Sequence, residues 1–123
     1  MTDKKTLVVG ASPDPGRYAY LACRMLDDAG IDFVPIGVKK GVLFGQQILD
    51  IRDKPALEGI HTITLYLGPA NQKMWYEYLA SLQPQRVIFN PGAENPEFAG
   101  ILAEQGIEVV HACNLVLLST GQY

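Results

Sequence analysis

A short apolar run that ends at a glycine constrains the fold of this chain more than any other feature. Residues 6–9, Thr-Leu-Val-Val, form this run, and Gly10 follows it. A loop of small residues comes next, and then an amphipathic stretch at residues 18–29. This order predicts a first strand, a tight turn and a first helix. Because the unpaired N–H groups and positive dipole end of a helix attract anions, the turn is a candidate phosphate site.

The loop of residues 10–17 matches neither of two common nucleotide-binding motifs. Gly10, Ala11 and Ser12 lack the second glycine of G-x-G-x-x-G, and Gly16 falls one position beyond the third. No Gly-Lys-Ser/Thr follows, so the loop is not a Walker loop. Two interpretations stay open, a ligand-binding loop and a structural turn that binds nothing.

Strand-like and helix-like segments alternate along the chain. Strands are predicted at residues 6–9, 31–36, 62–67, 86–89 and 107–110. Three helices are predicted. The first covers residues 18–29 and ends at the C-cap position Gly30. The second runs from an N-cap at Asn71 to before Pro84, and the third runs from a cap at Asn95 to Gly106. One or two helical turns are predicted in residues 115–123. Residues 42–59 are interpreted either as a hairpin or as a brief edge strand, and a helical turn is predicted to begin at Pro55.

Such alternation is typical of parallel strands joined by right-handed crossovers. We expect a single domain over residues 1–123. Its fold class is α/β, a Rossmann-like, doubly wound parallel sheet of about five strands with helices on both faces.

Composition excludes several classes of function. A hydrophobic content of 48% and a charged content of 19% describe a globular domain that can bury a core without metals or disulfides. The net charge of −3 argues against nucleic-acid binding. No apolar run approaches the roughly 20 residues that span a bilayer, and the residues after Met1 contain no signal-peptide core. Cys23 and Cys113 match no metal or redox motif, so we expect a cytoplasmic protein with reduced thiols.

The loops that follow the strands are expected to meet at the carboxyl edge of the sheet, where ligands of this fold class bind. All are rich in glycine, proline or small polar residues, which leaves room for an elongated ligand. Such composition is also ordinary for α/β loops. These loops are residues 10–17, 37–40, 68–71, 90–94 and 111–114.

The end of the second strand bears on the kind of nucleotide. Enzymes that use NAD commonly place Asp or Glu there to hold the ribose hydroxyls. Here no acid is present, and Lys39 and Lys40 follow, which suits a phosphorylated ribose. The alternative is a pair of solvated surface lysines. Arg17 is a second candidate phosphate partner, and its alternative is an exposed arginine with no ligand.

Catalytic groups are scarce in the sequence. His111 and Cys113 lie together at a strand end, but residues two apart leaving a strand do not ordinarily face each other, and no third group orients them. His61 precedes a strand and is interpreted as structural, and Glu94 is a lone carboxylate. We therefore predict no catalytic residue and no metal ligand, and favour a binding protein over an enzyme.

Several motifs together carry a family resemblance. They are Val9-Gly10-Ala11-Ser12-Pro13 with Arg17, the region of Pro35, the turn Asn90-Pro91-Gly92-Ala93, and Gly106-Ile107-Glu108-Val109-Val110 leading to Cys113. Nearly end to end, the chain resembles the small stand-alone CoA-binding proteins, whose fold is also the N-terminal domain of the succinyl-CoA synthetase α-subunit. The phosphohistidine domain of the synthetases has no counterpart in the resemblance, which therefore does not imply ligase activity.

The resemblance implies that coenzyme A or an acyl-CoA lies over the carboxyl edge of the sheet. The diphosphate would contact the first loop, the adenosine 3′-phosphate would lie at the end of the second strand, and the pantetheine arm would follow the loop after the fourth. The implied residues are Gly10, Ala11, Ser12 and Arg17 for the diphosphate, Pro35, Gly37 and Lys39 or Lys40 for the 3′-phosphate, Gly68, Pro69 and Asn71 for the adjoining wall, and Pro91, Gly92 and Ala93 for the pantetheine arm.

Three other hypotheses stay open. The first is an NAD(P)-binding enzyme or redox sensor of the same fold. The second is a small thiol enzyme that uses Cys113, and the third is an interaction protein without a nucleotide. The apolar tail at residues 115–118 could pack on the domain or on a second copy, which leaves a homodimer as an option.

Overall fold

A computed structural model describes residues 4–123, and the first three residues of the predicted domain lie outside this range. The strands, in chain order, are β1 Thr6–Val9, β2 Phe33–Gly37, β3 Val42–Leu43, β4 Gln46–Gln47, β5 Leu49–Asp50, β6 Thr62–Leu65, β7 Arg86–Phe89 and β8 Glu108–His111. The α-helices are α1 Tyr18–Asp28, α2 Tyr76–Ser81, α3 Pro96–Glu104 and α4 Asn114–Ser119, and single 3-10 turns cover Ile51–Asp53, Pro69–Asn71 and Lys73–Trp75.

Strand β1 lies at the centre of a six-stranded parallel sheet whose order is β5-β2-β1-β6-β7-β8. Thr6 of β1 pairs with Phe33 on one side and with Thr62 on the other. The chain winds outward through β2 to β5 and then crosses back to β6. This reversal of strand order opens a crevice beyond the carboxyl ends of β1 and β6, the usual ligand position in such folds. The predicted doubly wound α/β class is confirmed.

The sheet separates two apolar cores, because consecutive β1 side chains point to opposite faces. Leu7 and Val9 pack in one core with Leu79 of α2 and with α3. Val8 packs in the other with α1. The central strands β1 and β6 are buried on both faces, as parallel strands are, so helices cover both sides of the sheet as predicted.

Residues 42–59 account for the difference from the predicted five strands. The hairpin and the edge strand are both present, since β3 pairs with β4 and β5 adds to β2. The hairpin turns through Phe44 and Gly45, both at positive φ. At two residues, β5 is too short to give a periodic signal in sequence.

The prediction of a helical turn at Pro55 is wrong. The 3-10 turn lies earlier, at Ile51–Asp53, because the Asp50 carboxylate accepts a hydrogen bond from Arg52 N at 2.9 Å and caps it. Lys54, at a φ of 44°, then ends the turn before Pro55.

The helices follow the predicted positions with one correction. Gly30, at a φ of +70°, follows the end of α1, and the Asn95 side chain accepts a hydrogen bond from Phe98 N at the start of α3. Asn71, however, is not an N-cap. It ends the 3-10 turn Pro69–Asn71, and α2 begins only at Tyr76 after a second such turn. Among residues 4–123, no helix has the length and apolar character to cross a membrane.

Candidate functional site

A cleft of about 680 Å³ lies over the carboxyl ends of β2, β1, β6 and β7. It brings together most of the residues that the sequence predicts for a ligand. Those that line it are Gly10, Ala11, Ser12, Arg17, Gly37, Lys39, Gly68, Asn71, Pro91, Gly92 and Ala93. Three others do not line it: Pro35 is buried within β2, and Lys40 and Pro69 are exposed nearby. The volume is in the range of small-molecule and cofactor sites.

Close approach of backbone explains the glycines of the cleft floor. Gly10 has a φ of +91°, and a Cβ there would lie 3.1 Å from the backbone carbonyl carbon of Tyr66. A Cβ on Gly37 would lie 3.1 Å from the Ala11 carbonyl oxygen. The N–H groups of Gly10 and Ala11 both donate to the Ile36 carbonyl, at 2.9 and 3.1 Å. The loop after β1 is therefore held flat against the end of β2.

The loop after β1 is shaped by its own polar groups. Ser12 Oγ accepts a hydrogen bond from Asp14 N at 3.1 Å, and Asp14 Oδ1 accepts one from Gly16 N at 2.9 Å. Arg17 N donates to the Asp14 carbonyl at 3.0 Å, and α1 begins at the next residue. Within the described chain, no side chain caps this helix start and no acidic residue lies in its first turn. Its first N–H groups are left available to an anion.

The charge of the cleft is positive. Arg17 and Lys39 line it, and the lining side chains from residues 4–123 include no carboxylate. Arg17 Nε lies 3.8 Å from Asp14 Oδ2, with both side chains more than half exposed. Such an exposed pair is weak, so the guanidinium can turn to a stronger anion. Both cations belong to the loops after β1 and β2, at one end of the cleft.

A buried amide holds the opposite wall of the cleft. Gln72 has no exposed surface, and its Nε2 donates to the Leu67 and Ala93 carbonyls, each at 2.8 Å. Its Oε1 accepts a hydrogen bond from Asn95 Nδ2 at 3.0 Å. Gln72 thus joins the loop after β6 to the loop after β7. The sequence predicts its neighbour Asn71 as an N-cap and as part of the cleft wall, but it does not indicate Gln72, because a lone amide gives no periodic signal.

Asn90 performs a similar task below the turn at residues 90–93. Its Nδ2 donates to Thr64 Oγ1 at 2.7 Å and to the Leu65 carbonyl at 2.9 Å, and its Oδ1 accepts from Asn114 N at 2.8 Å. Its carbonyl accepts from Ala93 N at 2.8 Å. The turn that lines the cleft is therefore fixed to β6 and to the start of α4.

The apolar part of the lining is not predicted from the sequence. Its signal is weak, because Met74 fits the apolar stripe of the helix expected from Asn71. In the structure Met74 is 66% exposed on the 3-10 turn Lys73–Trp75. The lining residues without a prior prediction are Tyr18, Ala19, Val38, Ile51, Tyr66, Leu67, Met74 and Trp75.

Tyr66 reaches from the cleft into the interior. Its hydroxyl is buried without a hydrogen-bond partner in the described residues, as are both polar atoms of the Asn114 side chain. Desolvation by burial raises the pKa of Tyr66 above its ordinary value of 10, so its hydroxyl stays protonated at physiological pH.

The residues considered for catalysis do not enter the cleft. His111 is exposed, and its ring stacks on Phe89 with 5.5 Å between the ring centroids. Neither His111 nor the half-buried Cys113 lines the cleft. Burial in the core raises the pKa of the Cys23 thiol to about 12. In the part of the chain that the structure describes, no His, Cys, Asp and Glu side chains cluster as a metal site would require.

Similar structures share the whole fold. A crystal structure of an uncharacterized protein has 51% identity, covers 98% of each chain and gives a TM-score of 0.94. A protein from Thermus thermophilus has 25% identity, covers 100% of each chain and gives 0.81. A hypothetical protein from Pyrococcus horikoshii OT3, at 23% identity, covers 98% of this chain and 92% of its own, gives 0.83 and supports the fold alone. No curated protein matches the chain.

One family model matches nearly all of the described chain. It is described as a CoA-binding domain and covers residues 4–119, from before β1 to the end of α4. The match spans all the loops that form the cleft. It confirms the family resemblance, and the chain belongs to the family of CoA-binding domains.

Proposed function

We propose that this protein binds coenzyme A or an acyl-CoA in the cleft at the carboxyl edge of the sheet, and that it does so without catalysis. One observation carries the proposal. The uncapped start of α1 and the cation Arg17 lie beside a loop that is held flat by Gly10 and Gly37, in a cleft lined by no carboxylate of the described chain. This combination suits a diphosphate, because backbone N–H groups and a cation can reach it from one side.

The roles of the lining residues follow from their positions. Gly10, Ala11, Ser12 and Arg17 would hold the diphosphate. Lys39, with Gly37 beside it, would hold the 3′-phosphate, and Lys40 and Pro35 would act only as neighbours because they lie outside the cleft. The pantetheine arm would then run over β6 and β7, between the wall that carries Gly68 and Asn71 and the turn formed by Pro91, Gly92 and Ala93. Pro69 would support the first of these walls.

An NADP-binding protein is the second candidate, because of one specific feature. Strand β2 ends at Gly37, and Lys39 lines the cleft just after it. A cation there would suit a 2′-phosphate on ribose, whereas NAD would lack its usual acidic partner. Among residues 4–123, those that line the cleft offer no group typical of redox catalysis, so coenzyme A is the preferred ligand.

The proposal also includes a cellular compartment and an oligomeric state. Cys23 and Cys113 are both free thiols, which fits a reducing compartment such as the cytoplasm. The apolar residues of α4 are partly exposed, with Val116 at 52%, and a second copy could cover them in a homodimer.

Isothermal titration calorimetry with CoA, dephospho-CoA and NADP tests the proposal. We expect CoA to bind, dephospho-CoA to bind more weakly because it lacks the 3′-phosphate, and NADP to bind more weakly than CoA. Absence of CoA binding at two temperatures, which guards against a vanishing enthalpy, would refute the proposed function. Tighter binding of NADP than of CoA would favour the second candidate.

A further inference from the structure

Large apolar side chains are exposed at the cleft more than elsewhere. In the described residues, five large apolar side chains are exposed, and Tyr18, Val38 and Met74 among them line the cleft. Single exposed apolar residues are normal on a protein surface. Exposed apolar side chains that cluster around one cleft, here with the half-buried Trp75 beside Met74, are typical of a binding surface.

The position of Met74 and Trp75 is fixed by the chain around them. They belong to the 3-10 turn Lys73–Trp75, which follows the buried Gln72 directly. Trp75 N donates to the Gln72 carbonyl at 2.9 Å, and the Gln72 side chain is bound to the loops after β6 and β7. Trp75 also packs against the core that contains α2 and α3. The apolar pair is therefore presented on a rigid support.

Met74 and Trp75 lie on the β6 side of the cleft, two strands from the end of β2 that precedes Lys39. Lys39 and Arg17 follow β2 and β1, while Met74 and Trp75 follow β6. Since neighbouring strands are about 4.8 Å apart, the ends of β2 and β6 are separated by about 10 Å. A ligand that starts at Lys39 and runs across β1 to β6 therefore passes the two cations before it meets Met74 and Trp75.

We propose that Met74 and Trp75 contact an apolar acyl group, so that the ligand of this cleft is a medium-chain acyl thioester of CoA rather than free CoA. The inference depends on the proposed function, because the phosphate end of the ligand fixes which end reaches Met74. A free thiol would leave the methionine side chain in water, whereas an acyl chain laid against it removes apolar surface of both partners from water. Each methylene that becomes buried strengthens binding by about fourfold.

Titration with CoA, acetyl-CoA, hexanoyl-CoA and octanoyl-CoA tests this inference. We expect the Kd to fall with chain length by about fourfold for each of the first buried methylenes. Trp75 is the only tryptophan of the chain, so its fluorescence reports directly on the acyl end. Octanoyl-CoA should shift its emission to shorter wavelength, and free CoA should not.

Matched variants distinguish a specific contact between Met74 and the acyl chain from nonspecific hydrophobic binding. Met74→Ser should reduce the ratio of the CoA Kd to the octanoyl-CoA Kd by about fourfold or more. Val42→Ser should leave this ratio unchanged, because Val42 is 65% exposed but does not line the cleft. Equal effects of the two substitutions would overturn the inference.

The binding of free CoA distinguishes failure of the acyl inference from failure of the proposed function. If CoA binds and the Kd is independent of chain length, the acyl inference is wrong and the proposed function stands. If neither CoA nor octanoyl-CoA binds, the proposed function itself fails and the acyl inference fails with it.

Discussion

Asn95 Nδ2 donates a hydrogen bond to Gln72 Oε1 at 3.0 Å, between two side chains that are almost completely buried. Asn95 Nδ2 also donates to Tyr76 OH at 2.8 Å, and Asn95 Oδ1 caps α3 at Phe98 N. The pair therefore connects the start of α3 with the turns that precede α2. Because Gln72 also binds the two cleft loops, the same network fixes the fold and the shape of the site.

Replacing Gln72 by Met removes this network while preserving much of the side-chain volume. Methionine cannot donate to the Leu67 and Ala93 carbonyls, so both carbonyls lose this hydrogen bond. We expect the free energy of unfolding to fall by about 2–4 kcal/mol. Urea denaturation measures this change. Gln105→Met is the matched control, because Gln105 is exposed, and a loss of equal size in both variants would contradict the structural role of Gln72.

Two cleft glycines should respond differently to the same substitution. In Gly37→Ala the new Cβ would lie 3.1 Å from the Ala11 carbonyl oxygen and 3.3 Å from Ala11 N, so the loop after β1 must move. We expect a loss of about 1–3 kcal/mol in unfolding free energy, with weaker CoA binding. A Cβ on Gly68 meets nothing within 4 Å, and its φ of −63° is accessible to alanine.

Gly68→Ala should therefore be neutral, or stabilise the protein by up to about 1 kcal/mol through the unfolded state. Thermal or urea unfolding of the two variants side by side makes the comparison. Equal stability of the two variants would show that the contact between the loops after β1 and β2 is looser than the structure describes.

The adjacent lysines offer a matched pair for the 3′-phosphate. Lys39 lines the cleft and Lys40 does not, although both are exposed. Lys39→Ala should weaken CoA binding by about fivefold, which corresponds to about 1 kcal/mol for an exposed charge pair, while Lys40→Ala should change it little. Binding of dephospho-CoA should be insensitive to both substitutions. Equal losses of CoA affinity in the two variants would indicate a general electrostatic effect rather than a direct contact between Lys39 and the 3′-phosphate.

The sequence predicted the parts of this fold that follow local rules. The run at residues 6–9 and the capping pair Asn95-Pro96 are read from neighbouring residues alone, and the alternation of elements then places the loops at one edge. Other features depend on contacts between distant residues. Gln72 reaches Ala93 across 21 positions, and β5 forms its two-residue strand only because β2 offers an edge. Neither contact leaves a periodic trace in sequence.

For the same reason the sequence indicates the backbone of the cleft more clearly than its side chains. Gly10 and Gly37 occur where a strand ends and a loop must lie close, which a sequence can indicate. The exposure of Met74 could not be predicted, because it follows from the two 3-10 turns that replace the start of the expected helix. Short 3-10 turns have no distinctive periodicity.

Stability should fall on mild acidification because of His61. Its pKa in the folded protein lies below the ordinary value of 6.5, first because burial penalises the charged form and then because Arg86 and Lys4 repel the added charge, against a smaller opposing effect of Glu108. The unfolded chain therefore binds the proton more readily than the folded one. The contribution of His61 to stability is present above pH 6.5 and is lost as the pH falls through the folded pKa.

Urea unfolding between pH 7.5 and about 5 measures this dependence. His61→Gln should flatten the fall in stability over this range, because it removes the titrating group and keeps a polar side chain beside Thr62, whose Oγ1 lies 2.7 Å from His61 Nδ1. His111→Gln is the control, since His111 is the other of the two histidines and lies exposed at the end of β8. If His111→Gln flattened the profile and His61→Gln did not, the acid sensitivity would belong to the carboxyl edge of the sheet rather than to the amino edge, where His61 lies before β6.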